Sequence, residues 1–307
     1  MTPVSPTDIK VGLYLPNGDG KMSPGIHRWS DVARLAQKSE DAGLDSVWVA
    51  DHMIFELHES PTEGRWECWQ MLAAIAATTS KVEIGPLVTC MGFRNPALLA
   101  KIAETTDEIS NGRLILGLGA GWHEPEFTTY GFPYDHRASR FEEGFRILYD
   151  LIHEDSSTYH GIYHTTEGAA VRPRGPRKGD LPIMIGTDGP RLLRLTAQFA
   201  DIWNTTWTYS VQDVLPRLAA LDAACVEVGR DPDSIGRSCC VFIDVDGAKG
   251  VYTQYGDSTP NPRTPTEVAE FITSYAAAGA DHLMVWLDPY TEDAIDILAE
   301  GVQRVRG

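Results

Sequence analysis

Positive charge is scarce in this sequence. Across 307 residues, 26 Lys and Arg stand against 43 Asp and Glu, for a net charge of −17. A nucleic-acid surface needs a basic stripe, so that class of partner is excluded. Cysteine is sparse as well: Cys68, Cys90, Cys225, Cys239 and Cys240 make an odd count of five with no CxxC spacing. They read as reduced thiols, not as a disulfide frame or a zinc site. No apolar run approaches the roughly 18 residues of a membrane span. Met1 to Pro6 lacks the charged-then-apolar pattern of a secretory signal, so the expectation is a cytoplasmic protein away from membranes. GxGxxG, P-loop and HExxH spacings are missing, and no repeat, low-complexity tract or interdomain linker divides the chain.

What is present is a rhythm. Hydrophobic residues make up 43% of the chain, ordinary for a domain with a sizeable core. Eight short apolar segments read as strands: Val11–Leu15, Ser46–Ala50, Val82–Val88, Leu114–Leu118, Leu181–Ile185, Ile202–Asn204, Ser238–Ile243 and His282–Trp286. Near-continuous runs such as Leu114-Ile115-Leu116 suit parallel strands buried on both faces. Amphipathic helices lie between them, with apolar stripes at Phe141, Phe145, Leu148 and Ile152, at Leu218, Leu221, Cys225 and Val228, and at Leu98, Ile102, Thr105 and Ile109. Gly43, Asn111-Gly112, Gly229 and Gly279 mark helix stops. About eight strand–helix alternations predict an α/β fold, a (β/α)8 TIM barrel with insertions in its βα loops, forming one domain over residues 1–307. An open doubly wound sheet is the alternative, but Asn17-Gly18-Asp19-Gly20 after the first strand lacks the glycine spacing that fold prefers. Phe55–Arg65, Gly119–Ser139 and Asp244–Thr264 are long connections after strands, on the face where barrel enzymes build active sites. A fourth, Ser156–Asp180, contains a hairpin with Gly161 in or near its turn.

Four strand-end segments carry candidate chemistry. Asp51-His52 follows the second strand, where an imidazole can exchange protons near neutral pH; a tethered structural histidine is the competing reading. Thr89 to Pro96 follows the third, with Asn95 set to cap a helix that starts at Pro96 and Cys90 read as a buried filler. Gly117, Gly119 and Gly121 come next, spaced to let backbone approach a flat ligand. Trp122 follows them as a stacking wall or core residue. His123, Glu124 and Glu126 invite a metal but lack its spacing, so none is expected. Gly186-Thr187-Asp188-Gly189-Pro190-Arg191 opens a helix and reads as a phosphate cradle or an ordinary helix start. The basic cluster Arg172 to Lys178 reads as a solvated loop or as the seat of an acidic ligand.

Taken together, Ser46 to His52, Leu87 to Pro96, Gly112 to Trp122, Gly186 to Arg191 and Ala200 to Asn204 resemble the bacterial luciferase-like family, most closely its branch of oxidoreductases using the deazaflavin coenzyme F420. The match covers about residues 8–205. The resemblance implies a flavin-type ring in the barrel mouth and a non-prolyl cis bond in the third strand, best matched by Pro86–Leu87. It implies that Asp51 and His52 lie at the ring edge, that Leu87 and Thr89 touch the ring, and that Gly186, Thr187 and Gly189 hold the phosphate. Gly121, Trp122 and Arg191 complete the implied cofactor set, and Arg172 to Lys178 would meet an acidic tail. The sugar-phosphate dehydrogenase branch carries glutamate where this chain has Trp122, which leaves His52 as the leading acid or base and His123 as second. The expected activity is hydride transfer between coenzyme F420 and a small organic substrate, by a homodimer. An FMN-dependent monooxygenase using reduced flavin and O2 is the alternative, and a non-catalytic flavin-binding protein is a further one.

Overall fold

The computed structural model describes residues 2–19, 28–56, 62–245 and 264–307. Its centre is a nine-stranded sheet in which neighbouring strands pair in parallel. The chain enters through β1 (Lys10–Leu15), α1 (Trp29–Asp41) and β2 (Ser46–Val49). A small ribbon of β3 (Ile54–Phe55) and β4 (Glu63–Gly64) follows. After α2 (Cys68–Thr78) the third barrel strand comes in two pieces, β5 (Glu83–Pro86) and β6 (Thr89–Cys90). Then follow α3 (Pro96–Ser110), β7 (Leu116–Gly119), α4 (Glu124–Tyr130) and α5 (Arg137–His153). A hairpin, β8 (Ser156–His160) with β9 (Thr165–Ala170), turns where Gly161 N–H donates to the His164 carbonyl. The rest alternates through β10 (Ile183–Gly186), α6 (Pro190–Phe199), β11 (Ile202–Thr208), α7 (Val211–Glu227), β12 (Gly236–Asp244), α8 (Pro265–Ala277), β13 (His282–Asp288) and α9 (Glu292–Arg306).

The strand order is β5-β2-β1-β13-β12-β11-β10-β7-β6. Because β5 and β6 share one strand position, the nine segments make eight positions, and the two ends of the order meet. The seam is stitched at the base, where Ile84 bridges to Leu114 and the Ile115 amide donates to the Ile84 carbonyl at 2.8 Å. This is the expected barrel, with every predicted strand present. Val11, Leu13, Val47, Val49, Leu116, Ile183, Ile185 and Val285 are fully buried against the helix ring, each side chain contributing about 1.5–3 kcal/mol.

Most helix signals correspond to the expected faces. Phe141, Phe145, Leu148 and Ile152 are buried on α5, and Leu218, Leu221 and Cys225 on α7. Asn95 Oδ1 accepts the Ala97 and Leu98 amides at 2.9 and 3.1 Å, capping α3. The stripe expected on α3 is out of phase by one residue. Leu98 and Ile109 are 55% and 43% exposed, while Leu99, Ala103, Thr106 and Ser110 face inward. The inward face carries small and polar groups, so hydrophobicity alone pointed to the wrong side. Among the described residues, no helix is long and apolar enough to cross a membrane. Of the long loops, residues 57–61 of Phe55–Arg65 and 246–263 of Asp244–Thr264 lie outside the described residues, as does Gly20.

Candidate active site

The strand ends open into a cavity of about 460 Å3, lined by residues from the second, third, fourth and fifth strand ends on one side and by an aromatic group on the other. Asp51, His52, Leu87, Thr89, Gly121, Trp122, Gly186 and Thr187 all line it. His123, Gly189 and Arg191 are not among its lining residues.

Asp51 is buried where the chain leaves β2. Its carboxylate takes both arms of Arg94, at 2.6 and 2.9 Å, and the Cys90 amide at 2.9 Å. Burial pushes this carboxyl up, while Arg94 and the Cys90 amide push it down. Both oxygens are occupied, so Asp51 ties the second strand end to the third and offers the cavity little acceptor capacity. Arg94 reaches on to Glu67, the residue that caps α2.

Next in sequence, His52 points its Nδ1 at Glu126 Oε2, 2.7 Å away. Glu126 is 1% exposed, and its other oxygen accepts the Met53 and Ile54 amides at 2.5 and 3.2 Å. An acceptor held by two N–H donors selects the tautomer in which His52 carries its proton on Nδ1. Nε2 is then the nitrogen left for a ligand, with no partner among the described residues. Trp122, 58% exposed on the rim, and Phe55 set their rings edge-on to His52 at 5.9 and 5.1 Å. From the sequence alone, Glu126 stands out only as a metal candidate. Its place on α4, 74 residues from His52, carries no local signal. His123 is buried beside them; its Nε2 accepts the Glu56 amide at 3.2 Å, and burial lowers its pKa. His123, Glu124 and Glu126 therefore do not converge on one point, and no group of three metal-ligating side chains occurs among the described residues.

The third strand breaks between β5 and β6. The expected cis bond at Pro86–Leu87 is one residue early, for Leu87–Val88 is the cis peptide. Regular pairing with β2 runs through Val49 and Pro86, and the Leu87 amide still donates to the Val49 carbonyl at 2.8 Å, so the chain departs from the strand only after Leu87. The glycines of the fourth strand make room for this bulge, and Gly119 and Gly121 also line the cavity. A Cβ on Gly117 would sit 2.2 Å from the Pro86 carbonyl oxygen, and one on Gly119 would sit 2.7 Å from a Val88 methyl. Gly121, at φ +76°, would meet Cys90 Sγ at 2.5 Å. Beyond the bulge, Thr89 Oγ1 is buried in the cavity wall with no hydrogen-bond partner. Such an orphan is uncommon in a folded protein and marks a place for a polar ligand atom. The cavity thiols of Cys90 and Cys240 are pushed up by burial, the latter to about 12, so both stay protonated.

At the fifth strand end, Gly186 and Thr187 face the cavity and α6 begins at Pro190 with no side chain capping its first turn. Asp188, whose own charge would oppose an anion here, is paired with Arg217 at 3.3 Å and accepts the Thr205 hydroxyl at 2.8 Å. Gly189 N–H donates to Thr187 Oγ1 at 3.2 Å. Arg191, expected at the cofactor, instead turns outward to Glu142 and Ser139. The cluster from Arg172 to Lys178 is also displaced from its expected role. It precedes β10, at the opposite end of the barrel, where Arg174 pairs with Glu104 and Asp155 and Arg177 pairs with Asp107. Those acidic partners neutralise two of its four basic groups, Arg174 and Arg177.

Comparisons with known proteins bear on the family and the fold. The 5,10-methylenetetrahydromethanopterin reductase of Archaeoglobus fulgidus is 26% identical over 275 residues, 90% of this chain and 74% of that protein. The F420-dependent glucose-6-phosphate dehydrogenase of Amycolatopsis mediterranei is 32% identical over 177 residues, 56% of this chain; the chain spans about half that relative, 51% of its length. The coenzyme F420 dependent tetrahydromethanopterin reductase from Methanopyrus kandleri has the same fold, with a TM-score of 0.79 at 20% identity over 98% of this chain and 100% of that one. Residues 9–249 match the model of the luciferase-like monooxygenase family, and the chain belongs to that family.

Proposed function

We propose that this protein is an oxidoreductase that transfers a hydride between the deazaflavin coenzyme F420 and a small organic substrate. The observation that carries the proposal is the His52–Glu126 pair at 2.7 Å, which leaves Nε2 of His52 facing a cavity. The neighbouring bulge supports a flat ring: Leu87 and Val88 form an apolar wall, and the orphaned Thr89 hydroxyl supplies one polar contact. Gly186, Thr187 and the unsatisfied amides opening α6 fit a phosphate. A bound deazaflavin supplies or accepts the hydride, and that chemistry is the cofactor's own. The chain's share is orientation, exclusion of water and the proton. In the reducing direction, Nε2 of His52 gives a proton to the substrate oxygen; in the oxidising direction it takes one away. Glu126 holds the ring in the required tautomer, facing the Nδ1 proton that the ring keeps throughout. The two sequence relatives named above are a reductase and a dehydrogenase, which supports this chemistry over oxygenation.

The second reading, an FMN-dependent monooxygenase, draws on the description of the family model. Product formation that needs O2 and reduced FMN would establish it in place of the first. A protein that binds either ring yet turns over no substrate would establish a carrier. The homodimer implied by the resemblance belongs to the same proposal, and light scattering of the purified protein checks it.

A further inference from the structure

The wall of the cavity facing the bulge has a different character. In the closed order of eight strand positions, β12 stands four places from the β5–β6 position in either direction, diametrically across the barrel. Around β12, five aromatic side chains from β1, β11, β12, β13 and the end of β11 line the cavity: Tyr14, Trp207, Tyr209, Phe242 and Trp286. Trp207 stacks on Phe242 with ring centroids 5.0 Å apart and planes at 25°, and Tyr209 does so at 4.8 Å and 26°. Trp207 also meets Tyr14 and Trp286 edge-on at 5.6 and 5.1 Å. The rings thus form one continuous surface.

The backbone shows that Trp207 is held in place at some expense. Its φ is +31°, in the left-handed region that a bulky residue avoids, and the register of β11 against β12 shifts between Thr205 and Thr208 around it. Backbone of this kind persists where surrounding structure over-determines it, and it concentrates at ligand sites. Here it turns an indole into the cavity that a regular strand would direct elsewhere.

Among the described residues, this aromatic wall carries no charged side chain. The one basic group lining the cavity among the described residues is Arg65, which is paired with Glu63 at 3.2 Å and 3% exposed in its side chain. Asp51 is bound to Arg94, and Glu126 to His52. A charged substrate entering here would lose its hydration with no unpaired counter-ion among these lining residues, which is costly. An uncharged aromatic body would gain both apolar burial and ring–ring contact.

We propose that the substrate is an uncharged compound with a flat aromatic body bearing one ketone or alcohol function, its ring on the Trp207–Phe242–Trp286 surface and its oxygen toward His52. This rests on the reading above in one respect: it gives the bulge side of the cavity to the coenzyme and the aromatic side to the substrate.

Three small probes separate ring from charge: acetophenone, 4-acetylbenzoate, which adds a carboxylate to the same body, and acetone, which lacks the ring. Binding to the purified protein is read by ligand-observed NMR without coenzyme, so the result does not depend on turnover. Acetophenone should bind at least tenfold more tightly than either of the others. Trp207→Asn suits the left-handed backbone while removing the ring, and should bring acetophenone to within about threefold of acetone. Trp207→Phe should restore most of the difference. Equal or tighter binding of 4-acetylbenzoate overturns the proposal, as does an unchanged acetophenone affinity in folded Trp207→Asn. Loss of coenzyme F420 binding in that variant would assign the aromatic wall to the coenzyme and also overturn it. If acetophenone is discriminated as expected but no coenzyme F420 binds, the substrate proposal stands and the coenzyme reading falls.

Discussion

A histidine at a cavity mouth is common; one whose Nδ1 is committed to a buried carboxylate has a defined task. Glu126 is fixed by two backbone amides before it meets His52, so the imidazole is oriented in advance. Replacing His52 by Asn should lower kcat by about 10²–10⁴-fold while leaving coenzyme affinity within about twofold, the usual range for a lost general acid or base. Glu126→Gln should lower kcat by about 10²-fold or more and distort the pH profile, because an amide can donate to Nδ1 and so favour the wrong tautomer. Steady-state kinetics paired with equilibrium binding distinguish these losses from a collapsed site. Arg94 contributes stability instead. Removing its guanidinium leaves Asp51 buried without its partner, and Arg94→Met should lower unfolding free energy by about 3–5 kcal/mol in urea denaturation. The exposed Arg304–Glu300 pair on α9, lost in Arg304→Met, should contribute only about 0.3–0.5 kcal/mol.

At the scale of elements, the third barrel strand decides the shape of the site. Its bulge needs Gly117 and Gly119 as neighbours, and Gly117→Ala should destabilise the protein by about 1–3 kcal/mol or more, because the new methyl meets the Pro86 carbonyl, which cannot easily withdraw. At the opposite, basal end of β13, two adjacent groups titrate with opposite effects. Burial lowers His282 to about 3, where it shares a hydrogen bond with Ser46, and raises Asp281 to about 6. Unfolding lets His282 bind a proton between about pH 3 and its ordinary value near 6.5, so its contribution is present above 6.5 and lost as pH falls. Folded Asp281 holds a proton that the unfolded chain releases, so its contribution is present below its ordinary value and lost as pH rises through about 6. The stability difference between wild type and His282→Gln should therefore rise with pH by up to about 1.4 kcal/mol per unit between about 3 and 6.5 and flatten above. The corresponding difference for Asp281→Asn should fall with pH below about 6. Urea denaturation across this range checks both signs.

Elements also show what sequence makes legible. All eight strand positions were visible because parallel strands buried on both faces produce short apolar runs, as at Leu114 to Leu118. The α3 face was misread because its inward side carries Ala103, Thr106 and Ser110, which have no apolar signature. The strand-end segments at Asp51–His52 and Thr89 were found because they directly follow legible strands. Glu126 was not, since the contact that defines it spans 74 residues. The aromatic wall escapes the sequence pattern for another reason. The apolar pattern ends the sixth strand at Asn204, whereas β11 runs on to Thr208 through the irregularity at Trp207. Reading past Asn204 to Trp207 and Tyr209 was the signal available.

For the molecule as a whole, the barrel separates stability from chemistry by its two ends. Ion pairs of Arg174 and Arg177 and the Arg113 side chain, which donates to the Ala76, Thr79, Val82 and Ser110 carbonyls, gather at the base. The bulge, the His52–Glu126 pair and the aromatic wall gather at the mouth. With a net charge of −17, the chain has no general attraction for an anionic cofactor, so binding must come from the local groups at Thr89, Thr187 and the start of α6. The most direct measurement is a side-by-side fluorescence titration of the purified protein with coenzyme F420 and FMN. Saturable binding of coenzyme F420, at least tenfold tighter than FMN, is the predicted result; tighter binding of FMN, or saturable binding of neither, would contradict it.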